Sequence, residues 1–398
     1  MSLFSIPLEF VLFALTLTGI ALFHERTLPI ALAGLAAITL FKLAVTGFQS
    51  GPGLEGLAAH AVHEAPTLVN LFLLLTGFAV LARHFEESRI PDEMPALLPD
   101  DWTGGLWLLA LIFVLSAFLD NIAAALIGGT VARHVFKGKV HIGYLASIVA
   151  AANAGGSGSV IGDTTTTMMW VAGVSPLAVL KAFVGAGVAF LCFAIPAARQ
   201  QHAYAPIVKD PPAGLTIDYA RVGITVSVLL AAIAVNVWGN ATIPDLMGKI
   251  PALGVAVWAA IIAAAAIRRP DWAAARDAVP GTIFLLALVT AASMMPVETL
   301  PSPSWKTAFG LGIISAVFDN IPLTALALKQ GGYDWGILAY AVGFGGSMIW
   351  FGSSAGVAIS NMYPEAKSAL AWLRAAWYVP LAYVIGFTVM TALAGWQP

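Results

Sequence analysis

Asp120, Asp163 and Asp319 stand in long stretches that carry almost no other charge. Asp120 and Asp319 are each followed by an asparagine, Asn121 and Asn320. Asp163 lies between a glycine-rich segment and the run Thr164–Thr167. An ionised side chain in a membrane segment costs about 2.5–3.5 kcal/mol on insertion scales, so three of them call for a reason. One reason is capping, since aspartate, asparagine, serine and threonine all satisfy the free N–H groups of a helix start. Capping accounts for one such residue, but not for two matching Asp-Asn pairs in the middle of apolar segments. The other reason is ion chemistry. Hard cations take oxygen ligands. Asp120, Asp163 and Asp319 are the expected metal (sodium) ligands, and Asn121, Asn153, Asn320, Ser157, Ser347 and Ser353 supply further oxygens. Burial favours the neutral form of a carboxyl and a neighbouring cation favours the ionised form. The same cluster can therefore hold a proton or a metal ion, in competition. An anion site would draw instead on hydroxyls, amides and helix N-termini.

The elements that must position these residues lie in a bilayer. The chain has 398 residues, of which 59% are hydrophobic and 10% charged, and its mean hydropathy is +0.87. A soluble domain carries roughly 25% charged residues, too many more for this chain to cover a water-facing surface. A spanning helix needs about 20 apolar residues. Such stretches are expected near 5–23, 28–47, 67–83, 142–173, 177–197, 217–238, 253–268, 278–296, 335–362 and 376–395. The first is read as a retained helix, because no basic segment precedes it and no small-residue cleavage site follows. The polar stretches 84–103 and 198–216 read as loops, with His60, His63 and Glu64 in another loop before the third span. The lone Cys192 excludes a disulfide within the chain and suggests no thiolate metal site.

Two apolar stretches, 104–136 and 304–330, are broken by the Asp-Asn pairs and read as re-entrant hairpins. They belong to an internal repeat. Ser116-Ala-Phe-Leu-Asp120-Asn121-Ile122 matches Ser315-Ala-Val-Phe-Asp319-Asn320-Ile321, and Gly155-Gly156-Ser157 before Gly162-Asp163 matches Gly345-Gly346-Ser347 before Gly352-Ser353. The glycines are expected to let the chain unwind at membrane depth and turn carbonyls towards a cavity. With ten crossings and two hairpins, fourteen Lys and Arg fall on one face, Arg83, Lys209 and Arg268 among them. Lys42, Lys181, Lys249, Lys306 and Lys329 fall on the other. The positive-inside rule makes the first face cytoplasmic. Both termini are then outside and the repeats are inverted. The expected fold is an all-α integral membrane protein of about ten transmembrane helices, two re-entrant hairpins and two inverted-topology repeats. Residues 1–66 form N-terminal helices, 67–197 the first repeat, 198–277 linking helices and 278–398 the second repeat.

At these residues the chain resembles the NhaD-type sodium/proton antiporters of the ion transporter superfamily, which also holds arsenite, citrate and dicarboxylate carriers. The resemblance rests on Ser116–Asn121, Ala151-Ala-Asn153-Ala-Gly155-Gly156, Ile161-Gly162-Asp163-Thr-Thr-Thr-Thr-Met-Met-Trp170, Asp319-Asn320-Ile-Pro322, Gly345-Gly-Ser347 and Gly352–Val357. It implies exchange of Na⁺ or Li⁺ for H⁺ across a bacterial inner membrane, in a protein that is often a homodimer. It carries functional positions onto Asp120, Asn153, Asp163, Thr165, Thr166, Ser315, Asn320, Ser353 and Ser354. After the first Asp-Asn, where the family has threonines, this chain has Ile122-Ala123-Ala124-Ala125.

The expectation is thus a secondary Na⁺(Li⁺)/H⁺ antiporter with a midplane carboxylate site. The alternative is a Na⁺- or H⁺-coupled carrier of organic acids or oxyanions with the same architecture. No cofactor beyond the transported ions, no nucleic acid and no enzymatic activity are expected, since no HExxH or nucleotide motif occurs.

Overall fold

A computed structural model describes residues 6–23, 26–49, 51–208, 216–247 and 249–398. Among the described residues the chain is helical throughout, with a single isolated bridge between Phe48 and Gly51 and no strand. This follows from the solvent: in hydrocarbon every backbone N–H and C=O must find its partner within the protein, and helices achieve this segment by segment. The result is an all-α, multi-pass membrane protein.

The chain begins with α1 (Leu8–Leu22), α2 (Thr27–Phe41, continued by a π turn to Thr46) and α3 (Gly53–Glu86). A short α4 (Ile90–Leu97) leads to α5 (Trp102–Ser116), α6 (Asn121–Val135), α7 (Ile142–Ser157) and α8 (Thr164–Val171). Then come α9 (Pro176–Leu180), α10 (Ala182–Tyr204), α11 (Tyr219–Thr242), α12 (Pro244–Met247), α13 (Ala252–Ala264) and α14 (Trp272–Ser293). The last part holds α15 (Trp305–Ser315), α16 (Asn320–Gln330), α17 (Trp335–Gly345), α18 (Ser354–Met362), α19 (Ala369–Ala375) and α20 (Tyr378–Ala394).

Five of the expected spans are met by helices long and apolar enough to cross a membrane: 27–46, 53–86, 176–204, 219–239 and 272–293. A sixth is the pair α19 and α20, bent by 65°. The stretches near 5–23 and 253–268 form shorter helices of 15 and 13 residues. Those at 142–173 and 335–362 are each broken in two. Three local expectations are corrected. α3 begins at Gly53, so His60, His63 and Glu64 lie on a helix, where His60 Nε2 meets Ser293 Oγ at 3.0 Å. Its 34 residues make about 51 Å at 1.5 Å per residue, more than the roughly 30 Å hydrocarbon core. The polar stretch 84–103 contains α4, the stretch 198–216 is helical as far as Tyr204, and Lys209 lies outside the described residues.

The stretches 104–136 and 304–330 each fold back as a hairpin with both feet at one end. α5 starts where Arg199, near the end of α10, lies 4.8 Å from the Trp102 ring. α6 ends where the Val135 carbonyl accepts from Val208 N at 2.8 Å. The two feet of this hairpin thus share the face where α10 ends. The second hairpin does the same elsewhere. Gln330 Nε2, at the end of α16, donates to the Pro301 carbonyl just before α15, at 2.9 Å. The connection from α16 leads at once to Asp334, which pairs with Lys181 at the start of α10. One hairpin therefore stands at each end of α10, and the two enter from opposite faces.

α7 and α17 fill the centre. Every residue from Gly143 to Ser157 and from Gly336 to Gly345 is buried, as expected of helices apolar on all sides. Glycine sets how closely the hairpins approach them. A Cβ at Gly155 would overlap the Phe113 carbonyl of α5, and one at Gly345 the Gly312 carbonyl of α15. The expectation that the glycines unwind the chain holds for Gly158 and Gly346, which lie in the breaks, and is corrected for Gly155, Gly156 and Gly345. Gly155, Gly156 and Gly345 are still helical, and the unwound segments are 158–163 and 346–353. Close packing of small residues is the work of the first two sites.

Candidate functional site

Each hairpin tip rests on the break of its own repeat. A Cβ at Gly162 would overlap the Ser116 carbonyl, and one at Gly352 would lie 2.6 Å from the Ala316 carbonyl. Ser116 Oγ donates to the Ala152 carbonyl at 2.6 Å, and its counterpart Ser315 donates to the Val342 carbonyl at 2.8 Å. These hydroxyls bind hairpin to core helix. Ser315 is accordingly a positioning residue.

The side chains then join tips and breaks, within each repeat and between the two. Asn121, the first residue of α6, donates through Nδ2 to Asn153 Oδ1 at 3.0 Å. Asn153 Nδ2 donates to Ser347 Oγ and Ser353 Oγ, both at 3.0 Å. Asn320, the first residue of α16, donates through Nδ2 to Asp163 Oδ2 at 3.4 Å. Ser354 Oγ donates to Asp319 Oδ2 at 3.1 Å. Through these bonds the N-termini of α6, α8, α16 and α18 are linked around one centre.

Capping is part of what the aspartates do. Asp120 accepts from Ile122 N at 3.1 Å, Asp163 from Thr165 N at 3.0 Å and Asp319 from Ile321 N at 3.0 Å. Each cap uses one carboxylate oxygen. The second oxygen of Asp163 faces Asn320, and that of Asp319 faces Ser354. Asp120 lines a cavity of about 530 Å³ that runs from Arg83, Glu86 and Asp277 to Asp120, Thr164 and Ser354. A smaller cavity, about 170 Å³, reaches Asp319 and the same Ser354. Asp163 is 2% exposed and lines neither. The three carboxylates do not surround one point: among the described residues no three acidic, histidine or cysteine side chains form a group able to hold a metal ion. Beside Asp163, Thr165 Oγ1 is buried and makes no hydrogen bond.

The electrostatic balance has a sign. A helix N-terminus is worth roughly half a positive charge. Four of them come to about +2, against −3 from three ionised aspartates. None of the three has a Lys or Arg partner among the described residues. With all three aspartates ionised, negative charge would exceed what the helix N-termini offset, and a proton or a monovalent cation would reduce that excess.

Of the other expected site residues, Ser157 donates to the Ala154 carbonyl at 2.8 Å. Thr166 donates to the Ser159 and Asp163 carbonyls at 2.6 and 2.8 Å, holding the break in shape. Ser353 also caps α18 through Gly356 N at 3.3 Å. Sequence reasoning missed Thr164, which joins Asp120 at the cavity, and Gly343, which lies against Ser157 and Asp163. The repeat held the signal for Gly343, because it stands two residues before Gly345 just as Asn153 stands two before Gly155.

No family model matches the chain. It is 27% identical over 395 residues to "Sodium/proton antiporter 1" of Arabidopsis thaliana, covering 88% of this chain and 66% of that protein. It is 26% identical over 383 residues to "Sodium/proton antiporter 2" of the same plant, covering 86% and 90%. It is 27% identical over 350 residues to "Na(+)/H(+) antiporter NhaD" of Vibrio parahaemolyticus, covering 75% and 83%. The chain thus spans just under two thirds of the first relative's length. The resemblance to NhaD-type antiporters carried by the two Asp-Asn tips and the Gly-Asp-Thr break extends across most of the chain.

Proposed function

We propose that the chain is a secondary antiporter that exchanges Na⁺ or Li⁺ for H⁺ at a site between two inverted repeats, in a bacterial inner membrane with both termini outside the cytoplasm. The observation that carries this reading is Asp163: a buried carboxylate without a basic partner, held by a cap N–H and the Asn320 amide, beside an unpaired Thr165 hydroxyl. Such a group is stable when it holds a proton or a hard cation, and the two forms exclude each other. Three carboxylates without a Lys or Arg partner among the described residues support cation exchange over an anion carrier. The names of the similar proteins support it as well. The cavity to Asp120 and Ser354 opens beside Arg83, Glu86 and Asp277, on the Arg-rich face, and serves as a cytoplasmic entry.

Everted vesicles with a ΔpH dye test the reading, with NaCl, LiCl, KCl and citrate added in turn. Na⁺ or Li⁺ is expected to collapse the gradient in the wild type. Asp163→Asn is expected to weaken the response by about a hundredfold or more, the scale of losing one partner of a buried charge interaction. A response to citrate alone would sink the proposal.

A further inference from the structure

The two repeats bring equivalent residues to two equivalent places, but they fill them differently. In the second repeat the break offers Ser347 and Ser353, and both accept from the Asn153 amide that α7 of the first repeat projects between them. In the first repeat the matching residues are Ser157 and Asp163, and the residue matching Asn153 is Gly343 of α17. The correspondence is spatial as well as sequential. A Cβ at Gly343 would lie 3.1 Å from Ser157 Cβ and 3.6 Å from Asp163 Oδ2. Gly343 thus points at the same two partners from the other side of the molecule, and brings no side chain to them.

Asn153 is 0% exposed, and its three observed bonds use the carbonyl oxygen and both amide hydrogens. An amide NH₂ turned towards two hydroxyl oxygens presents the positive end of its dipole where a cation would take those same oxygens as ligands. At the first repeat's place there is a carboxylate, the Thr165 hydroxyl and one amide contact at 3.4 Å, from Asn320, and α17 projects no side chain between Ser157 and Asp163.

We infer that Asn153 permanently closes the second of two pseudo-symmetric cation places, so that each protomer binds one Na⁺, at Asp163, and Asn153 is the residue that sets this number. The inference rests on the cation-exchange reading and adds the ion count to it.

The test is equilibrium binding of ²²Na⁺ to the purified full chain in detergent at alkaline pH, for the wild type and for Asn153→Asp. The variant removes the amide donors and places a carboxylate beside Ser347 and Ser353. The expected result is about one Na⁺ per wild-type protomer and about two per variant protomer. Two ions on the wild type overturn the inference while leaving the antiporter reading intact. A monodisperse variant that still binds one ion overturns the role given to Asn153. If the variant aggregates, the wild-type count decides alone. No bound Na⁺ on the wild type removes the cation-exchange reading and this inference with it.

Discussion

Asn320 shows how one residue can be tested for more than structure. Its amide donates to Asp163 Oδ2 at 3.4 Å. A hydrogen bond to a charged group contributes about 1.5–3 kcal/mol, and a long one belongs at the low end. Asn320→Ala removes a group that favours the ionised carboxylate, so the proton gains on sodium. The Na⁺ concentration for half-maximal exchange should rise about tenfold, and more at acid pH than at alkaline pH. A fall in maximal rate without that shift would mean that Asn320 only holds the tip in place. The three aspartates and both Asp-Asn pairs were legible in the sequence because charge is so rare in it. Their partners were not. Asn320 reaches Asp163 across 157 positions, and Asn153 reaches Ser353 across 200. Those pairings exist only once two halves have docked, and no local pattern encodes the docking.

At the scale of the element, the hairpins were readable from their repeated breaks, whereas the glycines were misread in part. Gly-Gly-Ser suggested unwinding, and in the second repeat the helix does end within it, at Gly345, whereas in the first it runs on to Ser157. Spacing along one chain says where a side chain is missing, but not which backbone comes close enough to need it missing. Gly162 and Gly352 are where that closeness bears on transport, because each sits against the tip of a hairpin. Gly352→Ala would bring a Cβ to 2.6 Å from the Ala316 carbonyl, and backbone cannot yield as a flexible side chain would. The tip must shift, carrying Asp319 and Asn320 with it. A misplacement of about 1 Å can cost on the order of a hundredfold in a preorganised site. Exchange should fall by about that factor while the protein still inserts and runs as a monodisperse species. Activity within twofold of wild type would show that the tips tolerate movement and that the site does not depend on this contact.

For the whole molecule, the proposed exchange rests on inversion, because two repeats of opposite orientation would give alternating access to one site. The feet of the first hairpin lie beside the end of α10, at Arg199 and Val208. Those of the second lie towards its start, where Lys181 meets Asp334. The proposed orientation, which follows the charge asymmetry, puts the first face in the cytoplasm. Both statements can be tested in one background, because Cys192 is the sole cysteine and its replacement by serine leaves a chain without thiols. Lys137, exposed after α6, and Lys306, exposed at the start of α15, are suitable positions for single cysteines. An impermeant maleimide should label Lys306→Cys in intact cells and Lys137→Cys only in everted vesicles. The opposite pattern would keep the inversion and reverse the orientation. Labelling of both from one side would mean that the hairpins enter from the same face. Asp163 and the Asn153-filled place could then no longer be related by inversion, and exchange would need a different route to each side of the membrane.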